Sequence, residues 1–146
     1  MTSRIALVSC VKTKQESAAA AEDLYTSTWF RYCRRYAEQN ADRWFILSAE
    51  HGVLRPEQRI DPYERALMTM SKQARIAWAG RVQQQLLELL PASAVVIVLA
   101  GIRYRENVAP FLEERGFTIT VPMLGKRSGQ QLQWLKEQTR DDPLPH

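Results

Sequence analysis

The residues most suited to proton transfer stand together at Glu50-His51-Gly52. Either the carboxylate of Glu50 or the imidazole of His51 could move a proton near neutral pH if burial tuned its pKa. The alternative is structural: Gly52 forms a turn, Glu50 acts as a cap or pairs with an arginine, and His51 bonds a carbonyl. Both interpretations stay open at the level of sequence.

A cysteine and two lysines lie close together near the N-terminus, in the segment SCVKTK at 9–14. A turn after a strand exposes backbone N–H groups, and the charges of Lys12 and Lys14 make this segment a candidate anion site. The same charges could favour the thiolate of Cys10, which is therefore a candidate nucleophile. The alternatives are a cysteine that packs as a small apolar residue and lysines that are merely solvated. The glycines of a P-loop are missing, which argues against a nucleoside-triphosphate site.

Two tyrosines complete the set of candidate functional residues. Tyr63 lies in the segment DPYE and offers a ring face and a hydroxyl, while Tyr104 follows Gly101, where glycine permits close backbone approach. Aromatic rings near basic groups suit unstacked bases. Tyrosines that only pack are the alternative.

Alternating strands and helices must position these residues. Continuous apolar runs predict four strands, at Arg4–Ser9, Arg43–Ser48, Ala94–Ala100 and Phe117–Val121. Apolar residues at helical spacing predict helices from about Ser27, with room for a shorter helix before it, and over Ser71–Leu90, Arg105–Arg115 and Gln130–Thr139. The segment Val53–Pro62, with two prolines, is predicted to be a loop.

This order predicts a single α/β domain over residues 1–140, with a flexible tail over 141–146. The sheet is expected to be mainly parallel and four-stranded, with helices on both faces. In such sheets ligands bind at the carboxyl ends of the strands. The strand-end segments should therefore converge and place Lys12, Glu50, Tyr63 and Tyr104 around one cleft.

Composition restricts the class of protein and of partner. With 45% hydrophobic and 25% charged residues the chain is typical of globular proteins, and its net charge of +4 favours a phosphate-bearing partner, nucleic acid or nucleotide. No apolar run is long enough to span a bilayer and no signal-peptide pattern is present, so we expect a cytoplasmic protein without a membrane partner. Two cysteines and two histidines are few ligands for zinc, and we expect neither a metal nor a cofactor.

Six segments resemble a bacterial and phage family of uncharacterised proteins, a domain of unknown function, from about Ile5 to Leu135. They read VSCVKTK, LYTSTWF, ILSAEHGVLRPEQRIDPYE, WAGRV, VLAGIRYRENV and PMLGKRSGQQLQWL. The chain is also similar, more distantly, to the peroxide-stress protein YaaA family, whose pattern falls on Ser9, Lys12, Thr13, Ser48, Gly52, Leu54, Arg55, Pro56, Pro62, Tyr63, Leu99, Ala100 and Tyr104. This second resemblance implies an α/β fold, a link to DNA binding and oxidative damage control, and ligand-binding roles for the matched residues, including Ser9, Thr13, Ser48 and Arg55.

Three functional hypotheses follow. The first is a nucleic-acid-associated enzyme acting on a base or nucleoside, by cleavage or exchange of an N-glycosidic bond, in which Glu50 handles the proton, a tyrosine stacks and a lysine holds phosphate. The second is a noncatalytic nucleic-acid or nucleotide-binding module linked to DNA stress or phage defence. The third is a thiol hydrolase that uses Cys10 and His51.

Overall fold

The computed structural model describes residues 2–139, which form one mixed α/β domain. Its strands are β1 (Arg4–Ser9), β2 (Ala19–Ala20), β3 (Arg43–Ser48), β4 (Gly52–Leu54), β5 (Arg59–Ile60), β6 (Val95–Leu99) and β7 (Thr118–Thr120). Its helices are α1 (Ala21–Leu24), α2 (Thr28–Asn40), α3 (Lys72–Leu89), α4 (Ile102–Arg105), α5 (Ala109–Glu114) and α6 (Ser128–Thr139), with a 3₁₀ helix at Leu67–Thr69. The tail predicted at 141–146 lies outside the described residues.

The main sheet has five strands in the order β4-β3-β1-β6-β7. Strands β3, β1, β6 and β7 are parallel, which confirms a mainly parallel sheet, and they match the four predicted runs. The predicted count of four strands is one short, because β4 folds back antiparallel on β3 with Gly52 opposite Ser48. Gly52 has a φ of 74°, and this left-handed conformation favours glycine and completes the reversal.

The segment predicted as a loop therefore contains two short strands. The first is β4, and the second is β5, which pairs antiparallel with β2 and has Ile60 opposite Ala19. Three- and two-residue strands are too short to show alternation in the sequence, so periodicity could not identify them. Their pairing fixes where the long loop after β3 runs.

The core forms around the central strand β1. The residues Ile5 to Val8 of β1 are buried, and so are Phe45–Ser48 of β3 and Val96–Leu99 of β6, because β1 has a hydrogen-bonded neighbour on each side. At the carboxyl ends the buried residues become polar: Ser9 and Ser48 are both buried. The sheet therefore presents hydroxyl groups at the edge where ligands bind in this class of fold.

The two long helices begin where the sequence predicts. The side chain of Ser27 accepts a hydrogen bond from the Phe30 backbone N–H at 3.1 Å, and Ser71 caps α3 in the same way through Ala74. Helix α2 packs on β1 and β3 and contacts α6, whereas α3 packs on β4. A cover of helices on both faces of the sheet stays a prediction.

The helix predicted over Arg105–Arg115 is instead two short helices, α4 and α5, separated by a turn. Proline lacks a backbone N–H and is tolerated only in the first turn of a helix. Pro110 occupies that position in α5, so a continuous helix would have placed it in an interior turn. The break leaves α4 as a single turn of helix directly after β6.

Candidate functional site

The carboxyl ends of three neighbouring strands meet at one edge of the sheet. Ser9 of β1 lies opposite Leu47 of β3, and Val8 lies opposite Leu99 of β6. The backbone N–H of Cys10 continues the ladder by donating to the Leu47 carbonyl at 2.9 Å. The segments after β1, β3 and β6 therefore start side by side, as a parallel sheet requires. The fourth segment, after β7, leads into α6, which contacts α2.

Cys10 lies at the base of this edge, only 6% exposed. Its Sγ is 3.2 Å from the hydroxyl oxygen of Tyr104, which the single turn of α4 carries back toward β1. The Tyr104 ring packs edge-on against Trp78 with the centroids 5.6 Å apart. The phenol is therefore held by its ring contact with Trp78, and its oxygen is next to the sulfur.

A second group of hydroxyls meets at Tyr63. The Ser48 Oγ donates to the Tyr63 oxygen at 2.7 Å, and the hydroxyls of Tyr25 and Tyr63 are 2.6 Å apart. Cys10 is also close enough that a negative charge on its sulfur raises the pKa of Tyr63. We call Cys10, Tyr25, Ser48, Tyr63 and Tyr104 the cysteine–tyrosine cluster.

Burial determines the protonation of the phenols. It raises the pKa of Tyr63 and of Tyr104 far above the ordinary value of 10.0, and the negative charge of a Cys10 thiolate adds to the effect. Burial likewise raises the pKa of Tyr25. All three phenols are therefore neutral near pH 7, where they can donate hydrogen bonds to a sulfur or to a developing anion.

Lys14 brings a positive charge to the cluster. Its Nζ lies 4.5 Å from the centroid of the Tyr63 ring, within the range of a cation–π interaction. Burial lowers the pKa of Lys14, while the negative charges of Cys10 and Glu64 oppose this shift. Because the ammonium covers the ring, the Tyr63 ring face is occupied, and its hydroxyl is the part directed into the cluster.

The turn after β3 has a different character. The Glu50 carboxylate is 3.8 Å from the Arg65 guanidinium and its side chain is 40% exposed. The exposed His51 packs edge-on against the Tyr63 ring at 5.4 Å between centroids. The backbone N–H groups of both residues donate to Ser48 Oγ. The Glu50–Arg65 pair matches the structural interpretation, whereas the His51 contact is with the Tyr63 ring instead of a carbonyl. The catalytic roles predicted for Glu50 and His51 stay predictions.

The other predicted ligand-binding residues are dispersed around the edge. Lys12 and Thr13 are exposed in the segment after β1, and Arg55 is exposed after β4. Ser9 ends β1 and is buried, whereas Gly101 is exposed and stands just before α4 with an ordinary φ of −67°. The structure thus brings Cys10, Lys14, Ser48, Tyr63 and Tyr104 into contact. For Lys12, Thr13, Arg55 and Gly101 it shows position only.

Sequence reasoning missed three residues that build this site. Tyr25 is buried and supplies a hydroxyl to the cluster, Trp78 donates from Nε1 to the Ser48 carbonyl at 2.8 Å, and Gln85 accepts from the Val53 N–H at 2.9 Å. The spacing of apolar residues on α3 identifies Trp78 as a core position, but it does not predict the bond from Trp78 to Ser48. Tyr25 stands in LYTSTWF before a helix rather than after a strand, so strand-end reasoning could not select it.

The chemistry open to the cluster is that of a thiol among neutral phenols and one ammonium. Phenol hydroxyls and the ammonium can stabilise negative charge on sulfur or on a bound group, and the thiolate is a nucleophile. Within residues 2–139 no group of three or more histidine, cysteine or acidic side chains is arranged to hold a metal ion. No helix in that range is long and apolar enough to cross a membrane.

Comparison with known proteins identifies relatives of uncharacterised function. A model described as a family of unknown function, DUF6884, matches residues 5–137. The uncharacterized protein YfjM of Bacillus subtilis is 38% identical over 63 residues, which cover 39% of this chain and 42% of that protein. The match thus spans less than half of the relative's length. No solved structure matches the chain.

Proposed function

The chain belongs to this family of unknown function, and we propose that it is a nucleic-acid-associated enzyme that acts on a base or nucleoside at the cysteine–tyrosine cluster. One observation carries the proposal: the Cys10 Sγ lies 3.2 Å from the Tyr104 hydroxyl at the carboxyl edge of a mainly parallel sheet. That edge is where ligands bind in open α/β sheets. A thiol surrounded by phenols also exceeds what packing needs, because a cysteine in an apolar core requires no hydroxyl partners.

The proposed reaction is cleavage or exchange of an N-glycosidic bond. When the bond from sugar to base breaks, the base must take up a proton and the sugar carbon must receive water or another acceptor. Tyr104 or Tyr63, neutral because burial raises the pKa of each, can donate a hydrogen bond to the departing base. Glu50 on the neighbouring turn can take a proton from the incoming water and pass it to the base, while Cys10 and Lys14 hold the reacting group between them.

The second candidate is a noncatalytic nucleic-acid or nucleotide-binding module with a role in DNA stress or phage defence. The ion pair between Glu50 and Arg65 favours it, because it gives the Glu50 carboxylate a structural partner in the turn. The distant resemblance to the YaaA family supports either candidate equally. A thiol hydrolase is the less favoured proposal, because the Cys10 sulfur contacts the Tyr104 hydroxyl and His51 packs on the Tyr63 ring.

The decisive experiment is a product assay on modified and damaged oligonucleotides and on the matching free nucleosides. Released base and abasic sites are measured for the natural protein and for Cys10→Ala. Cys33→Ala is the matched control, because Cys33 is also buried but belongs to the packing of α2. We expect product from the natural protein and from the control only. Saturable binding without product by all three proteins identifies the binding module instead.

A further inference from the structure

A groove between α3 and α4 adjoins the proposed site. It has a volume of about 330 Å³ and is lined by Lys72, Arg75, Ile76, Arg103, Glu106 and Asn107. Arg103, Glu106 and Asn107 fall in the segment VLAGIRYRENV, but none of the lining residues is among the candidate site residues of the sequence. Arg103 is the neighbour of Tyr104 on the single turn of α4, so the groove begins one residue from a member of the cysteine–tyrosine cluster.

The groove carries an excess of positive charge. Glu106 is shared by two arginines, at 3.3 Å from Arg75 and 3.2 Å from Arg103, which leaves one of their charges and that of the exposed Lys72 uncompensated within the lining. Lys72 also stands in the first turn of α3, which has no acidic residue, so the positive end of the helix dipole adds to the potential. The complementary ligand is an anion.

Exposed apolar side chains accompany these charges. Met68, Ile76 and Ile102 are 81%, 50% and 52% exposed, although large apolar side chains generally avoid water. Ile76 lines the groove itself, Ile102 precedes Arg103 on α4, and Met68 lies in the 3₁₀ helix that contacts α4. A surface with both cations and apolar side chains fits a ligand that has phosphates and unstacked rings or sugars together.

We propose that this groove binds the phosphodiester backbone of single-stranded nucleic acid, so that the nucleotide at the cysteine–tyrosine cluster is part of a strand. This inference rests on the proposed function, since it names the substrate class of the same site. Lys72 and Arg103 contact phosphates flanking the nucleotide in the site. Ile102 and Met68 contact the sugars or bases between them.

The test is the binding of a fluorescent single-stranded oligonucleotide, measured by anisotropy over a series of salt concentrations. The double variant Lys72→Ala with Arg103→Ala is expected to bind roughly tenfold more weakly, and the slope of log K against log salt should flatten by about 1.4, since each contact with single-stranded phosphate contributes about 0.7. The control is Arg59→Ala with Arg81→Ala, which removes the same charge outside the groove lining. Equal slopes for the two double variants overturn the proposal.

A further variant tests the same surface in the opposite direction. Glu106→Gln removes the negative charge that the two arginines share, so the oligonucleotide should bind more tightly and with a steeper salt slope. Unchanged or weaker binding contradicts the proposal. A poly-glutamate peptide tests for an acidic protein partner. If it binds more tightly than the oligonucleotide and loses affinity in the Lys72 and Arg103 double variant, the groove binds acidic protein, and the proposal of a nucleic-acid ligand is wrong.

Failure of this inference differs from failure of the proposed function. If the protein releases base but the double variant keeps the KM of the control for an oligonucleotide substrate, the groove proposal falls and the enzyme remains. If no substrate releases base while the oligonucleotide binds with the expected slopes, the groove stands and the enzymatic proposal falls.

Discussion

The cysteine–tyrosine cluster and the Glu50–Gly52 turn lie next to each other but have opposite physical character. In the cluster a nearly buried thiol contacts phenols whose pKa values burial raises, so its groups are held in defined positions and protonation states. In the turn the Glu50 side chain is 40% exposed and His51 is exposed. The more conspicuous motif in the sequence is thus the less constrained one in the fold. Residue type therefore identifies candidate functional groups, whereas burial determines which of them have shifted pKa values.

The largest expected effect is a difference in turnover between a variant of the cysteine–tyrosine cluster and a variant of the Glu50–Gly52 turn. Cys10→Ala should reduce base release below detection if the reacting group is held at the cluster, because it removes a group that positions the substrate. Glu50→Gln should lower base release by about 10²–10⁴-fold, the loss typical of a general base. Glu57→Gln, at another exposed carboxylate, is the control. The assay is the release of base from a modified oligonucleotide. A larger loss for Glu50→Gln than for Cys10→Ala moves the reacting centre to the turn.

The second prediction concerns the stability of the cluster. Tyr63→Phe removes the hydroxyl that bonds Ser48 and Tyr25, and it leaves the buried Tyr25 hydroxyl without that partner. Loss of a partner from a buried polar group costs about 1–3 kcal/mol of unfolding free energy. Chemical denaturation measures it, with Tyr32→Phe as a control of the same type on α2 that should change the free energy by less than about 0.5 kcal/mol. Equal effects of the two changes mean that the hydroxyl network does not stabilise the fold.

The third prediction concerns a substitution in the turn that changes no residue of the cysteine–tyrosine cluster. Gly52→Ala puts a side chain where φ is 74° and where a Cβ meets the Gln85 side chain, so it should destabilise the fold by about 1–2 kcal/mol. Gly80→Ala lies within α3, where a Cβ meets no neighbour within 4 Å. It should stabilise the protein by up to about 1 kcal/mol. Thermal unfolding of both variants checks the opposite signs, and a shift in the same direction contradicts the role given to Gly52.

The smallest expected effect is a pH dependence. Because burial raises the pKa of Tyr63 in the folded state above 10.0, its contribution to stability is complete below pH 10 and is lost as the pH rises beyond it. Each such tyrosine steepens the alkaline loss by up to about 1.4 kcal/mol per pH unit. The melting temperature of Tyr63→Phe should therefore fall less steeply above pH 10 than that of the natural protein, while the difference between them stays constant below pH 9. Parallel curves throughout contradict this.

Part of the candidate site could be predicted from the sequence, because apolar runs indicate buried strands and the order of strands and helices indicates how they pair. Apolar runs identify the strands β1, β3 and β6, and parallel pairing then places Cys10, Ser48 and Tyr104 near one edge. The strand β4 could not be predicted, because three residues give no period and their pairing depends on the reversal at Gly52. Tyr25 could not be selected either, because it reaches the cluster from the start of a helical segment.

The sequence by itself determined the alternation of strands and helices, the caps at Ser27 and Ser71, and the family to which the chain belongs. These are set by local spacing and side-chain type. The tertiary structure decided which groups meet: Cys10 and Tyr104 are 94 residues apart, and their contact exists only because β6 lies beside β1 and α4 is a single turn. It also decided protonation, because a pKa depends on burial and neighbouring charges. Neither the contacts between distant residues nor their protonation states can be read from the order of the residues alone.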